Sequence, residues 1–397
     1  MKDKSLEYFV IFGGGGIRGI SYVGAYKALM EANVKITGYA GSSIGSVFAT
    51  LCAVGYDIKE IEEFFMSINI EFFKDINFNF GNQIALSKGE LLLEWIRDKV
   101  ESQFYSEGYK KGQMPPVRFK DLKEDLIIYS TDLTNNSYNE FSKECTPEAE
   151  IALAVRASVS MPGLFKPLDI NGDLIVDGDL AKSWPLWRLS NTLSNKKERI
   201  LEFRLEDTKG KRKIDTALDY LNAVYNTISG FATDYIIDLY GQKDKFDYIK
   251  IDTYNVSVMD FMMSDAKKTE LADIGYRTTS DYFKNVLPKK RKKLFENYYQ
   301  IQLFLMKFKK EFEAGKIKSA YLILCELFSH LCEHKRYIDL DIYNAMLSFK
   351  KQFDDNLEEK TGFFFVKDMN ILNKNLIEKN LNELIKTITL KTVEIKD

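Results

Sequence analysis

Histidine is nearly missing from this chain: the 397 residues contain two, His330 and His334, both late in the sequence. A serine hydrolase that works through a histidine held by an acid would have to recruit one of them as its base. That option stays open but is the lesser one. Zinc is disfavoured by the same region. On the helix expected there the two histidines share one face, and Cys325 and Cys332 fall roughly opposite. The only other cysteines are Cys52 and Cys145. Four in a chain of this length make no dense disulfide framework and fit a reduced, cytoplasmic setting. No apolar run approaches about 18 residues, so no membrane span is expected. The start, "MKDKSLEYFVIFGGGG", has too short an apolar stretch for a signal peptide. A net charge of -2 removes the global basic field that would point to nucleic acid. Prolines number seven and stop at Pro288; beyond it little in the composition interrupts helices.

Hydrophobic residues, at 45%, are plentiful enough for a sizeable core. The first conspicuous feature is "YFVIFGGGGIRGISYVGAYKAL", Tyr8 to Leu29. A strand over Tyr8–Phe12 enters a glycine turn, and a small-residue helix follows from Ile20 to Ala32. Each glycine costs backbone entropy, so the run marks main chain that approaches something closely. Gly14, Gly16 and Gly19 satisfy G-x-G-x-x-G, the dinucleotide fingerprint. That reading needs an acidic residue after the second strand to hold a ribose, and none lies between Val34 and Phe48. No Gly-Lys-Ser/Thr follows the glycines, so a Walker A loop is excluded too. A nucleotide site and a purely structural tight turn stay as lesser readings beside a cradle for a transient oxyanion.

The second strand, Val34 to Ala40, runs into "GSSIG", Gly41 to Gly45. This is G-x-S-x-G centred on Ser43 in a strand-turn-helix context, the setting of a nucleophile elbow. Gly41 and Gly45 relieve the sharp turn, and the helix N-terminus behind Ser43 supplies partial positive charge. Further strands are expected from Asp125 ("DLIIYSTDLT"), Asp173 ("DLIVDGDLA") and Arg199 ("RILEFRLE"), with a strand-like piece at Asp247–Ile251. Helices are expected over Ile58–Ser67, Lys88–Val100 and Glu148–Ser158. From Thr216 the texture turns helical. The β-turn-α order implies an α/β sheet with its loops at the carboxyl ends of the strands.

"GGGGIRG", "GSSIG" and "VDGD" (Val176–Asp179), in that order, resemble the patatin-like phospholipase family. "STDLT" at Ser130–Thr134 and "AVRASVSMPGLFKPL" at Ala154–Leu168 are weaker echoes of the same family. The resemblance covers about Tyr8 to Leu189 well and Val256 to Phe283 more loosely. It implies an α/β fold with a three-layer α/β/α core, a central mostly parallel sheet, and an α-helical region after it. It also implies a Ser-Asp dyad without histidine: Ser43 as nucleophile, Asp177 as its partner, and Gly178 completing the dyad motif. The glycine loop would supply oxyanion-hole amides from Gly14, Gly15 and Gly16, with Arg18 bracing it or adding positive field near a headgroup. No metal and no cofactor are needed by such a dyad. Asp179 departs from the family pattern, which has a small residue at that position. Pointing outward it is harmless; pointing inward it tunes the base or disturbs substrate approach.

The resulting expectation is a catalytic domain over residues 1–287, with its motif-bearing core at 8–189, and an α-helical region over 288–397. The activity implied is release of fatty acid from phospholipids or lysophospholipids through an acyl-enzyme. The alternative is a catalytically weak relative that acts as a membrane or partner binding module. "INIEFFKDINFNFGNQ", Ile68–Gln83, is a candidate lid or acyl-chain wall, against ordinary packed aromatics. The basic, then apolar, segment Pro288–Lys310 is a candidate for peripheral contact with an anionic membrane, against a solvated helix end and a core helix. The helical region could also receive a protein partner or activator. Non-classical secretion as an effector is compatible with the same sequence.

Overall fold

The computed structural model describes residues 6–68, 85–180, 198–206, 243–254, 256–361 and 366–396, with positions 214–215, 220, 223–224 and 227. The aromatic segment expected as a lid lies, beyond Ile68, outside the described residues. So do residues 181–189 and most of the run expected to be helical from Thr216. The chain forms two compact units, Met1–Ile237 with Lys245–Lys284, and Asp238–Asp244 with Asn285–Asp397.

In chain order the first unit contains β1 (Glu7–Phe12), α1 (Ser21–Glu31), β2 (Lys35–Gly41), α2 (Ile44–Val54), α3 (Ile58–Ser67), β3 (Ala85–Ser87) and α4 (Glu90–Tyr105). Then come β4 (Asp125–Asp132), β5 (Ser137–Ser142), α5 (Ile151–Ser158), β6 (Gly163–Phe165), β7 (Leu168–Ile170), β8 (Asp173–Asp177), β9 (Arg199–Glu206), β10 (Phe246–Asp252) and α6 (Asp265–Asp281). An eight-stranded sheet runs β10-β9-β1-β2-β4-β8-β7, with β5 also on β4. Its first five strands are mutually parallel, and β5, β7 and β8 are added antiparallel. β3 and β6 form a separate parallel pair. This is the expected mostly parallel sheet flanked by helices, with a helical region beyond it.

β1 lies at the centre because it is apolar on both faces: Tyr8 to Phe12 are all buried. Phe12 stacks on Phe203 of β9 and packs edge-on or tilted against Tyr22 and Phe48. α1 and α6 approach backbone to backbone at two glycines. A Cβ on Gly24 would lie 1.8 Å from the Ala272 carbonyl oxygen, and one on Gly275 would lie 1.9 Å from that of Ser21. The small-residue character of α1 is thus what admits its neighbour.

The second unit contains α7 (Leu287–Glu313), α8 (Ile317–Glu333), α9 (Leu340–Asp355), β11 (Leu357–Thr361), β12 (Val366–Ile371) and α10 (Lys374–Lys396). Leu294, Tyr298, Ile301, Leu305, Phe308 and Phe312 recur every three to four residues along α7, and all are fully buried. α8 answers with Ile317, Ala320, Leu324, Leu327 and Leu331. An antiparallel hairpin of β11 and β12 is inserted between α9 and α10 of this helical region. Inside this unit Lys391 is buried between Asp244 and Asp339, at 2.8 and 2.9 Å. Burial works against its charge, but the two carboxylates outweigh it and hold the ammonium pKa above the usual lysine range.

Candidate active site

β1 and β2 are parallel neighbours, so the loops at their carboxyl ends meet. The loop after β2 carries Ser43 at the head of α2 with φ 50° and ψ -132°, a strained conformation for a residue with a side chain. The flanking glycines are obligatory for that turn. A Cβ at Gly41 would lie 2.3 Å from the Gly45 oxygen, and one at Gly45 would lie 2.1 Å from that of Phe12. The Ser43 amide donates to Ser158 Oγ at 3.0 Å, and that hydroxyl donates in turn to the Tyr129 carbonyl at 2.6 Å.

The sheet register carries Asp177 to the same spot. Gly41 of β2 stands opposite Ile128 of β4, and Asp177 of β8 stands opposite Ser130 of β4. Because β5 occupies the other edge of β4 over these residues, β2 and β8 share one edge, end to end. Two residues along a strand are about 7 Å, so Asp177 enters directly beyond the elbow. Its amide and that of Gly178 donate to the carbonyls of Ser160 and Ser158, at 3.0 and 3.1 Å. Ser158 therefore holds both the elbow and the Asp177 segment. Gly178 has no room for a side chain: a Cβ would lie 2.2 Å from the Tyr129 oxygen and 3.1 Å from Ser42 Cβ. Asp177 is fully buried, and its Oδ1 accepts from the Asp179 amide at 2.8 Å.

The glycine loop after β1 lies against this pair, and what it approaches so closely is its own chain. The space a Gly13 side chain would need is filled by Arg204, 2.6 Å from the ideal Cβ position. At Gly16, φ 60°, the obstacle is the Val258 carbonyl oxygen at 2.0 Å. Tyr22 donates to the Gly13 carbonyl at 2.7 Å, and burial keeps its hydroxyl well above the ordinary phenol range. Gly16 opens a short 3-10 turn, Gly16–Ile20, whose first amides have no partner within the turn. The Ile17 amide goes to Val258 O at 3.0 Å. Arg18 is buried, and its Nε donates to Gly15 O at 3.0 Å.

One expected oxyanion donor is otherwise engaged. The Gly14 amide donates to Asp179 Oδ1 at 3.2 Å. Asp179 points inward, and the same oxygen accepts from Ser42 Oγ at 2.6 Å and pairs with Arg204 at 3.0 Å. Arg204 also pairs with Glu202 at 2.6 Å. Burial opposes its charge, but Asp179 and Glu202 prevail and raise its pKa. Among the described residues, the amides of Gly15 and Gly16 have no acceptor.

Ser43, Gly14, Gly15, Gly16, Arg18 and Asp179 line a pocket of about 110 Å³. Its walls are apolar, including Ile44, Val47, Trp95, Leu164, Phe165 and Leu205. The buried guanidinium of Arg156 holds one wall. It donates to the carbonyls of Lys88, Gly89 and Lys166 at 2.7 to 3.0 Å and lies over the Phe165 ring. The two histidines are elsewhere, in the second unit, stacked with ring centroids 4.3 Å apart. Among the described residues no group of three or more His, Cys, Asp and Glu side chains could hold a metal ion.

Sequence reading missed Ser42, Ser158, Glu202 and Arg204. The last two did leave a signal: "RILEFRLE" sets charges inside a strand that otherwise reads as buried.

The α/β sheet thus brings a serine elbow, a glycine loop and a buried aspartate together, and the part of the chain that carries them is similar to patatin-like and NTE-family proteins. Residues 10–189 form a patatin-like phospholipase domain. The uncharacterized protein YqhO of Bacillus subtilis (strain 168) is 28% identical over 301 residues, spanning 69% of this chain and 97% of that protein. The probable lipid hydrolase 463L of Invertebrate iridescent virus 6 is 25% identical over 47% of this chain and 64% of its own length. Lysophospholipase NTE1 of Kluyveromyces lactis is 27% identical over 46% of this chain, and the match spans 12% of that protein. Among the described residues no helix is long and apolar enough to cross a membrane.

Proposed function

We propose that this chain hydrolyses carboxylic esters of phospholipids or lysophospholipids, with Ser43 as nucleophile and Asp177 as its base. The observation that carries the reading is the strained Ser43 elbow, opening on an apolar pocket and set beside buried Asp177 by the sheet register. In the proposed reaction Ser43 Oγ attacks the ester carbonyl while its proton passes to the Asp177 carboxylate. The tetrahedral intermediate collapses to an acyl-enzyme as the leaving alcohol takes a proton. Water then repeats the sequence and releases the fatty acid.

A carboxylate is a weak base for a hydroxyl, so most of the acceleration rests on the oxyanion donors. The Gly15 and Gly16 amides and the N-terminus of α2 fill that role; losing one such donor costs about 3 kcal/mol of transition-state stabilisation. A cavity of about 150 Å³ admits a benzene ring, so the described pocket suits the carbonyl end of an acyl chain. Such a substrate is met at a lipid surface, which makes peripheral membrane contact part of the proposal.

Fatty-acid release from mixed phospholipid vesicles tests it. Ser43→Ala should lower the rate by about 10⁴-fold or more, Asp177→Asn should also abolish turnover, and both should keep the wild-type fold by circular dichroism. A fluorophosphonate should label wild type and spare Ser43→Ala. Full turnover in Ser43→Ala would overturn the assignment, and loss of chemistry in a folded His330→Ala/His334→Ala double variant would contradict the histidine-free mechanism.

A further inference from the structure

Asp179 stands where the family pattern has a small residue, and it lies at the junction of the three segments that build the site. A single oxygen, Oδ1, receives the Gly14 amide from the glycine loop, the Ser42 hydroxyl from the elbow and the Arg204 guanidinium from β9. The side chain is 5% exposed, and a carboxylate so far from water persists only when it is paired and hydrogen-bonded. Arg204 supplies the charge and is itself steadied by Glu202. Arg204 can reach Asp179 because it crosses the space that a Gly13 side chain would need. Asp179 Oδ2, in turn, lies 2.6 Å from where a Gly14 Cβ would be. The first two glycines are thus the complement of this ion triad.

We propose that Asp179, supported by Arg204 and Glu202, is a positioning residue that fixes the glycine loop through the Gly14 amide, so that Gly15 and Gly16 present the oxyanion donors to Ser43. This rests on the function proposed above. Gly14 is then an anchor and not a donor to the substrate. Ser42, the first of the two variable positions of the G-x-S-x-G motif, ties the nucleophile's own turn to the same oxygen, so loop and serine share one reference point. A displacement of the loop by about 1 Å would cost about 100-fold in turnover, because the donors must meet the oxygen of the transition state.

The test compares Asp179→Ala with Asp179→Asn, which keeps an acceptor oxygen but drops the charge. Wild type and Ser43→Ala are run beside them on a soluble p-nitrophenyl ester, at equal folded fraction. Asp179→Ala is expected to lower kcat by about 100-fold with KM changed less than about threefold, and Asp179→Asn to restore most of that loss. A structural ion triad without a positioning role would cost stability in both variants and leave kcat per folded molecule unchanged, which would overturn the proposal. Equal kcat in the two variants would do so as well. If Asp179→Ala does not fold, Asp179→Glu replaces it, keeping the charge and shifting the acceptor by one methylene; wild-type kcat there is equally fatal. Turnover absent from wild type, or unchanged in Ser43→Ala, strikes the hydrolase reading itself and the positioning role with it. Ser43-dependent turnover that ignores Asp179 strikes the positioning role alone.

Discussion

The two units of this chain are built on opposite economies of space. Of 23 glycines in the sequence, three, Gly241, Gly315 and Gly362, fall in the second unit. In the first, glycines occur where main chain touches main chain: Gly45 on Phe12 and Gly13, Gly16 on Val258, Gly24 on Ala272, Gly178 on Tyr129. Buried charge is concentrated there too, in Arg18, Arg156, Asp177, Asp179, Arg199, Glu202, Arg204 and Asp247. In the second unit side chain meets side chain in an aliphatic and aromatic interior, with Lys391 and its carboxylates as the main buried ionic cluster. Close backbone contact tolerates no added atom, whereas interlocked side chains lose stability in proportion to what is removed. One unit should therefore fail by addition and the other by deletion.

Trp95 lines the pocket of the first unit, so its emission follows that unit while ellipticity at 222 nm weights the helices of both. Gly45→Ala should produce the largest loss. Its Cβ has no exit from the Phe12 and Gly13 carbonyls, and a cost above about 4 kcal/mol is expected. Urea titration read by tryptophan emission should show it, and a loss below 1 kcal/mol would break the contrast. Phe308→Ala, the matching deletion in the second unit, should cost about 3–5 kcal/mol in the ellipticity transition. A neutral effect would mean that this core collapses around the gap. Gly315→Ala sharpens the comparison: its φ is 72° but nothing lies within 4 Å of the added carbon, so strain alone should cost about 1 kcal/mol.

The smallest effect concerns pH. Burial, and secondarily His334, lowers the His330 pKa below its ordinary value of 6.5. The folded second unit thus binds this proton less readily than the unfolded chain does. Its contribution to stability is full above about pH 6.5 and is lost as pH falls below that value. Between pH 7.5 and 5.5, wild type should lose more of its ellipticity-detected stability than His330→Leu; identical pH profiles would rule the histidine out as the cause.

The elbow was legible because its chemistry is local: strand, Gly41, Ser43, Gly45 and helix lie within one short stretch. The sheet was legible from buried apolar runs such as Tyr8–Phe12. The inward turn of Asp179 was not, because it depends on Arg204, 25 residues on in another strand. Nor was the burial of Arg156, whose partners include a carbonyl 67 residues back and another 10 residues on. The β11–β12 hairpin hid behind charged residues, "LEEKT" and "VKDMNI", that carry little strand propensity of their own. Of the three glycine amides expected as oxyanion donors, that of Gly14 is held by Asp179, and those of Gly15 and Gly16 have no acceptor among the described residues.

The carbonyl of Val258 sets the glycine loop from about 240 residues away, by accepting the Ile17 amide. β1 likewise takes its second parallel neighbour from β9. Contacts so distant along the chain close late in folding. During synthesis the elbow serine and Asp177 are in hand long before Val258 is made. An unfinished chain therefore holds Ser43 and Asp177 beside a glycine loop that still lacks its Val258 contact, and on the proposed function the oxyanion donors would be set only once the first unit is nearly complete.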